Sequence, residues 1–306
     1  MSAHVPFDRR DLDFLLHEVE GITALCRHPR FADHSRETFD ATLDAAAELA
    51  MAKFANHNRA SDVTEPHFAD GRVGILPAVK EALDAYAAAG FSALLADAEE
   101  GGMQLPYTVA LACDAMFAAA NVSTAGYALL ARGVANLLQA HATPEQCARY
   151  RTPILGGRFL GTMCLSEPQA GSSLGDIRTR AEPAADGSYR LSGAKMWISA
   201  GEHDMADNIV HLVLARIEGA PEGTKGISLF IVPKFMLDAD GNGLAFDGLN
   251  STVSDADPTF AAPRTTISDA YDDQVIAMSA AELFSELRCG GALRPGCAMR
   301  CGRRTK

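Results

Sequence analysis

The residue pattern changes character at Gly156-Gly157, and that change constrains the fold of this 306-residue chain more than any other feature. Upstream, residues 1 to about 157 favour helix. "TLDAAAELAMAKFANHNRASD" is rich in Ala, Leu, Glu and Lys, all good helix formers. In "LPAVKEALDAYAAAGF", Val79, Leu83 and Tyr86 share one helical face; Pro77 suits the first turn and Gly90 the stop. Thr143, Pro144 and Gln146 read as a capping box with proline at the first helical position. Downstream, "RFLGTMCLS", "YRLSGAKMWIS", "NIVHLVLARI" and "GISLFIV" are short and rich in β-branched or aromatic residues. Asp186-Gly187 and "GAPEGTKG" supply turns between them.

A run of helices followed by a run of strands predicts an α+β multidomain fold. We expect a helical N-terminal domain over residues 1–157 and a small antiparallel β-barrel or sandwich domain over 158–250. No G-x-G-x-x-G follows a strand, so a Rossmann fold has no support. Residues 108–140 are nearly all apolar or small, but Asp114, Asn121, Arg132 and Gln139 interrupt them. They are expected as two buried helices packed on each other, not as a membrane span.

Residues 251–306 fit neither pattern. Seven acids and one arginine lie between Ser251 and Glu286, and the last twenty residues hold six cations and no acid. "SAAELFSELR" alone looks helical, and the segment is expected as an irregular, disordered tail. Its Cys289, Cys297 and Cys301 match no zinc spacing and have no histidine nearby, so no metal site is assigned. Cys26, Cys113, Cys147 and Cys164 read as free, buried thiols. A formal charge of −12 argues against nucleic-acid or anionic-membrane binding. The N-terminus carries early acids and no apolar core of signal-peptide length, and a soluble cytoplasmic protein is the expectation.

Two stretches carry the chemistry. "MCLSEPQAGSS" (Met163–Ser173) and "KMWISAG" (Lys195–Gly201) each read as an apolar strand ending in a serine and a glycine-containing turn. Such a pair suits a flat ring with acceptors along one edge. Backbone N–H groups freed at a strand end and serine hydroxyls supply donors, and Trp197, the only tryptophan, supplies a face. Gly171 lets the backbone approach a phosphate, and Ser172 adds a hydroxyl. Taken singly, each of these residues reads better as a strand end or a core anchor; it is the tandem arrangement that points to a ligand.

With these motifs the chain resembles the acyl-CoA dehydrogenases. "CLSEPQAGSS" and "KMWISAG" match that family's middle-domain signature, with "YRLSGAK" and "GISLFIVP" in the expected order. "EEGGMQLP" (Glu99–Pro106), after "AAAGF", resembles its Gly-Gly loop, while "FLLHEVEG" and "ISAGEHD" resemble the larger relatives typified by 3-methylmercaptopropionyl-CoA dehydrogenase. The resemblance covers residues 1 to about 250. It implies FAD as cofactor, an acyl-CoA substrate, an electron-transfer flavoprotein as partner and a homo-oligomeric assembly. Carried over by position, Met163, Leu165 and Ser166 line the flavin, Met163 standing where an aromatic is often found. Gly171 and Ser172 meet the pyrophosphate or the acyl-CoA. Trp197, Ile198 and Ser199 cover the other side of the ring, with the Ser199 hydroxyl near flavin N5.

The implied reaction is α,β-dehydrogenation of the thioester: a carboxylate removes the α proton while the β hydride passes to the flavin. In the family that carboxylate is a glutamate of a C-terminal helical domain. No matching motif follows "DGLN", so no catalytic residue is assigned, and Glu167 reads as a structural member of its turn. The abrupt loss of pattern motivates the hypothesis of a frame-shifted or misassembled end; reading the coding DNA in the other two frames tests it. Without those helices, low solubility and weak or absent FAD binding are expected. Two alternatives stay open: an acyl-CoA oxidase or flavin monooxygenase on the same fold, and a non-catalytic fragment of helical-plus-β type.

Overall fold

A computed structural model describes residues 6–69, 72–185, 187–238 and 241, together with the backbone of Thr266–Ile267 and Ile276–Met278. Five helices shape the first half: α1 (Arg9–Asp13), α2 (Arg36–Leu49), α3 (Asn58–Val63), α4 (Pro77–Ala88) and α5 (Tyr107–His141). Their ends follow local chemistry. The Ser35 hydroxyl accepts from the Thr38 N–H at 3.3 Å, and Thr38 returns a bond to the Ser35 N–H, opening α2 with a reciprocal cap. Pro77 opens α4, and Gly90 closes it with φ +82°, a left-handed conformation glycine adopts at little cost. The Thr143–Gln146 box opens a last helical stretch over 144–155.

The apolar faces of α2, α4 and α5 bury Phe39, Leu43, Tyr86 and Phe117 around Phe54 in one helical core. One element there departs from the helical expectation. Strands β1 (His67–Ala69) and β2 (Arg72–Gly74) form an antiparallel pair, with Phe68 opposite Val73.

Helix α5 settles the question of the apolar run 108–140. By length and composition alone it could cross a membrane. A straight helix would hold residues 114 and 132 about 27 Å apart. Instead Asp114 and Arg132 form a bidentate, largely buried ion pair. The helix therefore folds back on itself at Asn121, whose φ −163° and ψ 95° are not helical. Asn121 acts there as an N-cap: its Oδ1 accepts from the Thr124 N–H at 3.1 Å, and its Nδ2 donates to the Phe54 carbonyl. The interrupting polar residues make two packed helices out of one apolar run, as their placement predicts.

The second half is a sheet built on one central strand, β6 (Asn208–Ile217), buried from residue 208 to residue 215. On one side β7 (Ile227–Pro233) pairs with it antiparallel. On the other, β3 (Phe159–Cys164) runs parallel to its first half and β4 (Arg180–Pro183) parallel to its end. β5 (Tyr189–Ala194) returns antiparallel to β4. The sheet is thus mixed, where an antiparallel one was expected. Hairpin turns made every connection look antiparallel, but β3 and β4 are joined by a long loop, not a tight turn. Both can therefore run in the same direction along one edge of β6. β8 (Thr266–Ile267) and β9 (Ile276–Met278) add to β5 and β7.

Helix α5 packs on β3 so closely that a Cβ at Gly161 would lie 2.7 Å from a Val134 methyl. Val134, Ala135 and Leu138 share a core there with Phe159, Val210 and Leu212, so helices and sheet are continuous. Cys113 and Cys164 are buried, and burial raises their thiols to about 12 and about 11; Cys26 and Cys147 are only half-buried. The Asp186 half of the proposed turn and the expectations for the cysteine-bearing tail fall outside the described residues, while Gly187 has φ +89°.

Candidate functional site

Both motifs run past the end of a strand, the first beyond β3 at Cys164 and the second beyond β5 at Ala194. β3 leaves β6 after Cys164, opposite Val213, and β4 rejoins it at Arg180, opposite Arg216. Residues 165–179 therefore leave and re-enter within three positions of β6 (213 to 216). Within that loop Glu167 to Ala170 make a tight turn, with backbone bonds of 2.7 and 3.1 Å in both directions.

Glu167 closes the loop. Its Oε2 accepts from the Arg178 N–H at 2.6 Å and from Gln169 Nε2 at 2.7 Å. Its Oε1 accepts from the Thr179 N–H at 3.0 Å, the Thr179 hydroxyl at 2.5 Å and the Lys195 ammonium at 2.8 Å. Five donors surround a carboxylate with about four lone-pair sites. Burial pushes its pKa up, but Lys195, Thr179 and the two backbone N–H groups outweigh that and bring it down from 4.5 to about 2. Burial acts on Lys195 in the opposite direction, lowering its pKa against the pull of Glu167. The geometry is that of an ionised pair. Both side chains are shut away from solvent, at 0% exposure for Lys195 and 2% for Glu167.

Lys195 belongs to the second motif, and the same ammonium donates to the Leu165 carbonyl at 3.1 Å. The next residue, Met196, donates its N–H to the Ser166 carbonyl at 3.0 Å. Three bonds thus lock the two motifs side by side. Sequence reasoning placed Lys195 in its motif without a role, and left out Thr179. The signal was there: a lysine inside an apolar strand pattern is seldom buried without a carboxylate.

The second motif is not a strand beyond this point, since β5 ends at Ala194. Trp197 has φ +61° and Ala200 φ +57°. A left-handed conformation costs a non-glycine residue roughly 1–2 kcal/mol, and strain of this kind gathers at ligand sites. The ladder cannot continue through it. Between the two strained residues, Ile198 is 2% exposed and packs beside Cys164, Leu191 and Phe230. Its side chain is a core anchor, so only its backbone is left to face a ligand, a change from the covering role expected of it.

The other site residues fall around this lock. Trp197 is 44% exposed, and Ser199, Gly171 and Ser172 are exposed. Met163, Leu165 and Ser166 are half-buried, with Met163 and Leu165 packed against the core shared with α5. A Cβ at Gly171 would meet nothing within 4 Å, so packing within the protein does not require a glycine there. Elsewhere, Asp13, His17 and Asp40 come close enough to suggest a cation site. Arg9 already engages Asp13, Asp40 and Asp44, which makes the group an ion-pair network.

A helical layer is thus continuous with a β domain in which the Ser-Glu-Pro and Lys-x-Trp-Ile-Ser loops lie side by side. The acyl-CoA dehydrogenase middle-domain model matches residues 162–259. The chain is 43% identical over 172 residues to 3-methylmercaptopropionyl-CoA dehydrogenase of Ruegeria pomeroyi, covering 56% of this chain and 29% of that protein. It is 35% identical over 241 residues to a broad-specificity linear acyl-CoA dehydrogenase of Mycobacterium tuberculosis, covering 78% and 39%. An acyl-CoA dehydrogenase structure from Geobacillus kaustophilus superposes with a TM-score of 0.64 at 19% identity, covering 84% of this chain and 63% of the other. One from Bacillus anthracis, titled as a complex with FAD, gives 0.63 at 20% identity, covering 85% and 42%. At those identities the superpositions speak for the fold alone. Residues 162–259 thus match the acyl-CoA dehydrogenase middle domain, and the chain spans well under half the length of the two relatives named.

Proposed function

We propose that the edge formed by the two motifs cradles FAD, and that the chain's reaction is the α,β-dehydrogenation of an acyl-CoA thioester. The observation that carries this reading is the lock between the motifs. The Lys195–Glu167 pair and the Met196–Ser166 bond tie the loop that carries Ser166 and Ser172 to the segment that carries Trp197 and Ser199.

The residues present fit a flavin. Trp197 offers a half-exposed aromatic face held in a strained backbone. Gly171 leaves open the space that close backbone approach to a phosphate needs. The exposed hydroxyls of Ser172 and Ser199 supply donors for acceptors along a ring edge or a phosphate. When bound, FAD supplies the hydride acceptor. The chain's own residues bind and orient it, and the lock fixes the spacing of the two loops. Glu167 takes no proton: its lone pairs are filled and it stays ionised down to about pH 2. The α proton therefore goes to a carboxylate other than Glu167. An electron-transfer flavoprotein is the proposed electron acceptor.

Trp197 is the only tryptophan, so its emission reports on the cradle directly. Titrating FAD into the purified chain should quench it saturably, with roughly micromolar affinity or weaker. Quenching no greater than that of free tryptophan at the same FAD concentrations would refute the reading.

A further inference from the structure

The turn that carries Trp197 and Ser199 holds two left-handed residues, Trp197 at φ +61° and Ala200 at φ +57°. Such conformations persist only where the surroundings over-determine them. Inside the turn, the Gly201 N–H donates to the Ile198 carbonyl at 3.1 Å. A Cβ at Gly201 would lie 3.0 Å from the Ile198 Cβ, so the chain folds tightly over that buried anchor. Upstream, the Lys195–Glu167 pair and the Met196–Ser166 bond hold the entry to the turn.

The exit is held by a second pair of the same kind. The Glu202 carboxylate accepts from the Lys234 ammonium, and the two side chains are 4% and 14% exposed. The same ammonium donates to the His203 carbonyl at 3.2 Å, just as Lys195 donates to that of Leu165. Lys234 follows directly on β7, and its own N–H donates to the Ile209 carbonyl of β6 at 2.8 Å. The anchor is therefore the centre of the sheet. Past Glu202 the chain stays fixed. His203 is buried, its Nδ1 accepts from the Met205 N–H at 3.3 Å, and its ring meets Tyr127 of α5 edge-on at 5.8 Å. Entry and exit are thus each tied by a lysine that neutralises a buried glutamate and also caps a carbonyl. A buried ion pair is weak evidence for stability, since apolar side chains of similar volume often serve as well; its attested use is to specify one arrangement over others.

We propose that Glu202 and Lys234 are positioning residues: they hold the Trp197–Gly201 turn in its left-handed form and so present Trp197 and Ser199 to the ligand. Their burial keeps both from touching a ligand, so they act through the turn. That the ligand is FAD rests on the proposed function; that the pair sets the turn does not.

The full chain carrying E202Q/K234M tests this, because it removes both charges and strands neither. Its melt should stay cooperative and close to that of the wild type. The anisotropy of Trp197, the only tryptophan, is read without FAD and should fall by about a third or more as the ring gains nanosecond freedom. FAD affinity should weaken about tenfold, the loss expected when the competent turn is populated about one-tenth of the time. K234R keeps a cation on Glu202 and should hold the anisotropy near the wild-type value and the affinity within about twofold. Unchanged anisotropy in E202Q/K234M overturns the proposal, as does a fall in anisotropy with FAD affinity unchanged. So does K234R lying no nearer the wild type than the double variant. Loss of the cooperative melt overturns it too, since the pair would then hold the domain and not the turn. If FAD fails to quench Trp197 in the wild type, the flavin reading fails, and anisotropy alone still decides whether the pair sets the turn.

Discussion

Replacing Glu167 with Gln is the sharpest test of how the two motifs are held. The substitution keeps the shape but removes the charge that faces Lys195, a side chain at 0% exposure. Two routes give the magnitude. Lowering a carboxyl from 4.5 to about 2 favours the folded, ionised form by about 3 kcal/mol, at 1.36 kcal/mol per tenfold. Removing one member of a buried pair costs about 3–5 kcal/mol because the other charge is stranded. Urea unfolding at neutral pH should therefore show E167Q less stable by about 3 kcal/mol or more. The double variant E167Q/K195M should recover much of that loss, since no lone ammonium remains. The sign of the pH dependence follows from the lowered pKa. The carboxylate's contribution is complete above the unfolded value of about 4.5 and drains away as pH falls towards 2. At about pH 3.5 linkage leaves about 2 kcal/mol of it, so the gap between wild type and variant should narrow on acidification. A loss under about 1 kcal/mol at neutral pH, or a gap that widens with acid, would refute the account of the pair.

Burial, joined by Lys234, holds His203 and His211 neutral, with pKa values lowered from 6.5 to about 3. The unfolded chain takes up two protons below about pH 6.5 that the native state refuses, so stability should fall from there downward, at up to about 2.7 kcal/mol per pH unit. Denaturant midpoints measured across that range check it, and a flat profile between about pH 6.5 and 4.5 would contradict it. Gly161→Val should cost about 1–3 kcal/mol or more by thermal melting, because its Cβ would sit 2.7 Å from Val134. Ala200→Gly relieves a left-handed alanine at φ +57° and should be stabilising by about 0.5 kcal/mol once the unfolded-state entropy of glycine is set against it. A clear loss of stability there would mean the Ala200 methyl does packing work that its backbone strain conceals.

Some of the site was legible without any structure. The residues of both motifs stand out in the sequence, and the structure adds how their two loops are tied together. Ile198 looked like a surface that covers a ligand and is a core residue instead, because the left-handed turn at Trp197 rotates successive side chains out of simple alternation. Glu167 was placed in its turn, yet the partners that occupy its lone pairs come from residues 11, 12 and 28 positions away as well as from Gln169. The small pair β1–β2 was hidden inside a helical stretch because three-residue strands carry almost no periodic signal.

By itself the sequence determined the order of helices then strands, the change of pattern at Gly156-Gly157, the caps at Pro77, Gly90 and Thr143, and the interruption of the apolar run by Asp114, Asn121 and Arg132. All of these depend on a residue and its near neighbours, where steric preference and local hydrogen bonding act directly. Tertiary structure alone decided that β3 and β4 share an edge of β6, that Arg132 reaches back to Asp114, and that Lys195 is buried against Glu167. Those outcomes depend on which distant groups satisfy one another once water is excluded, and no local pattern encodes that choice.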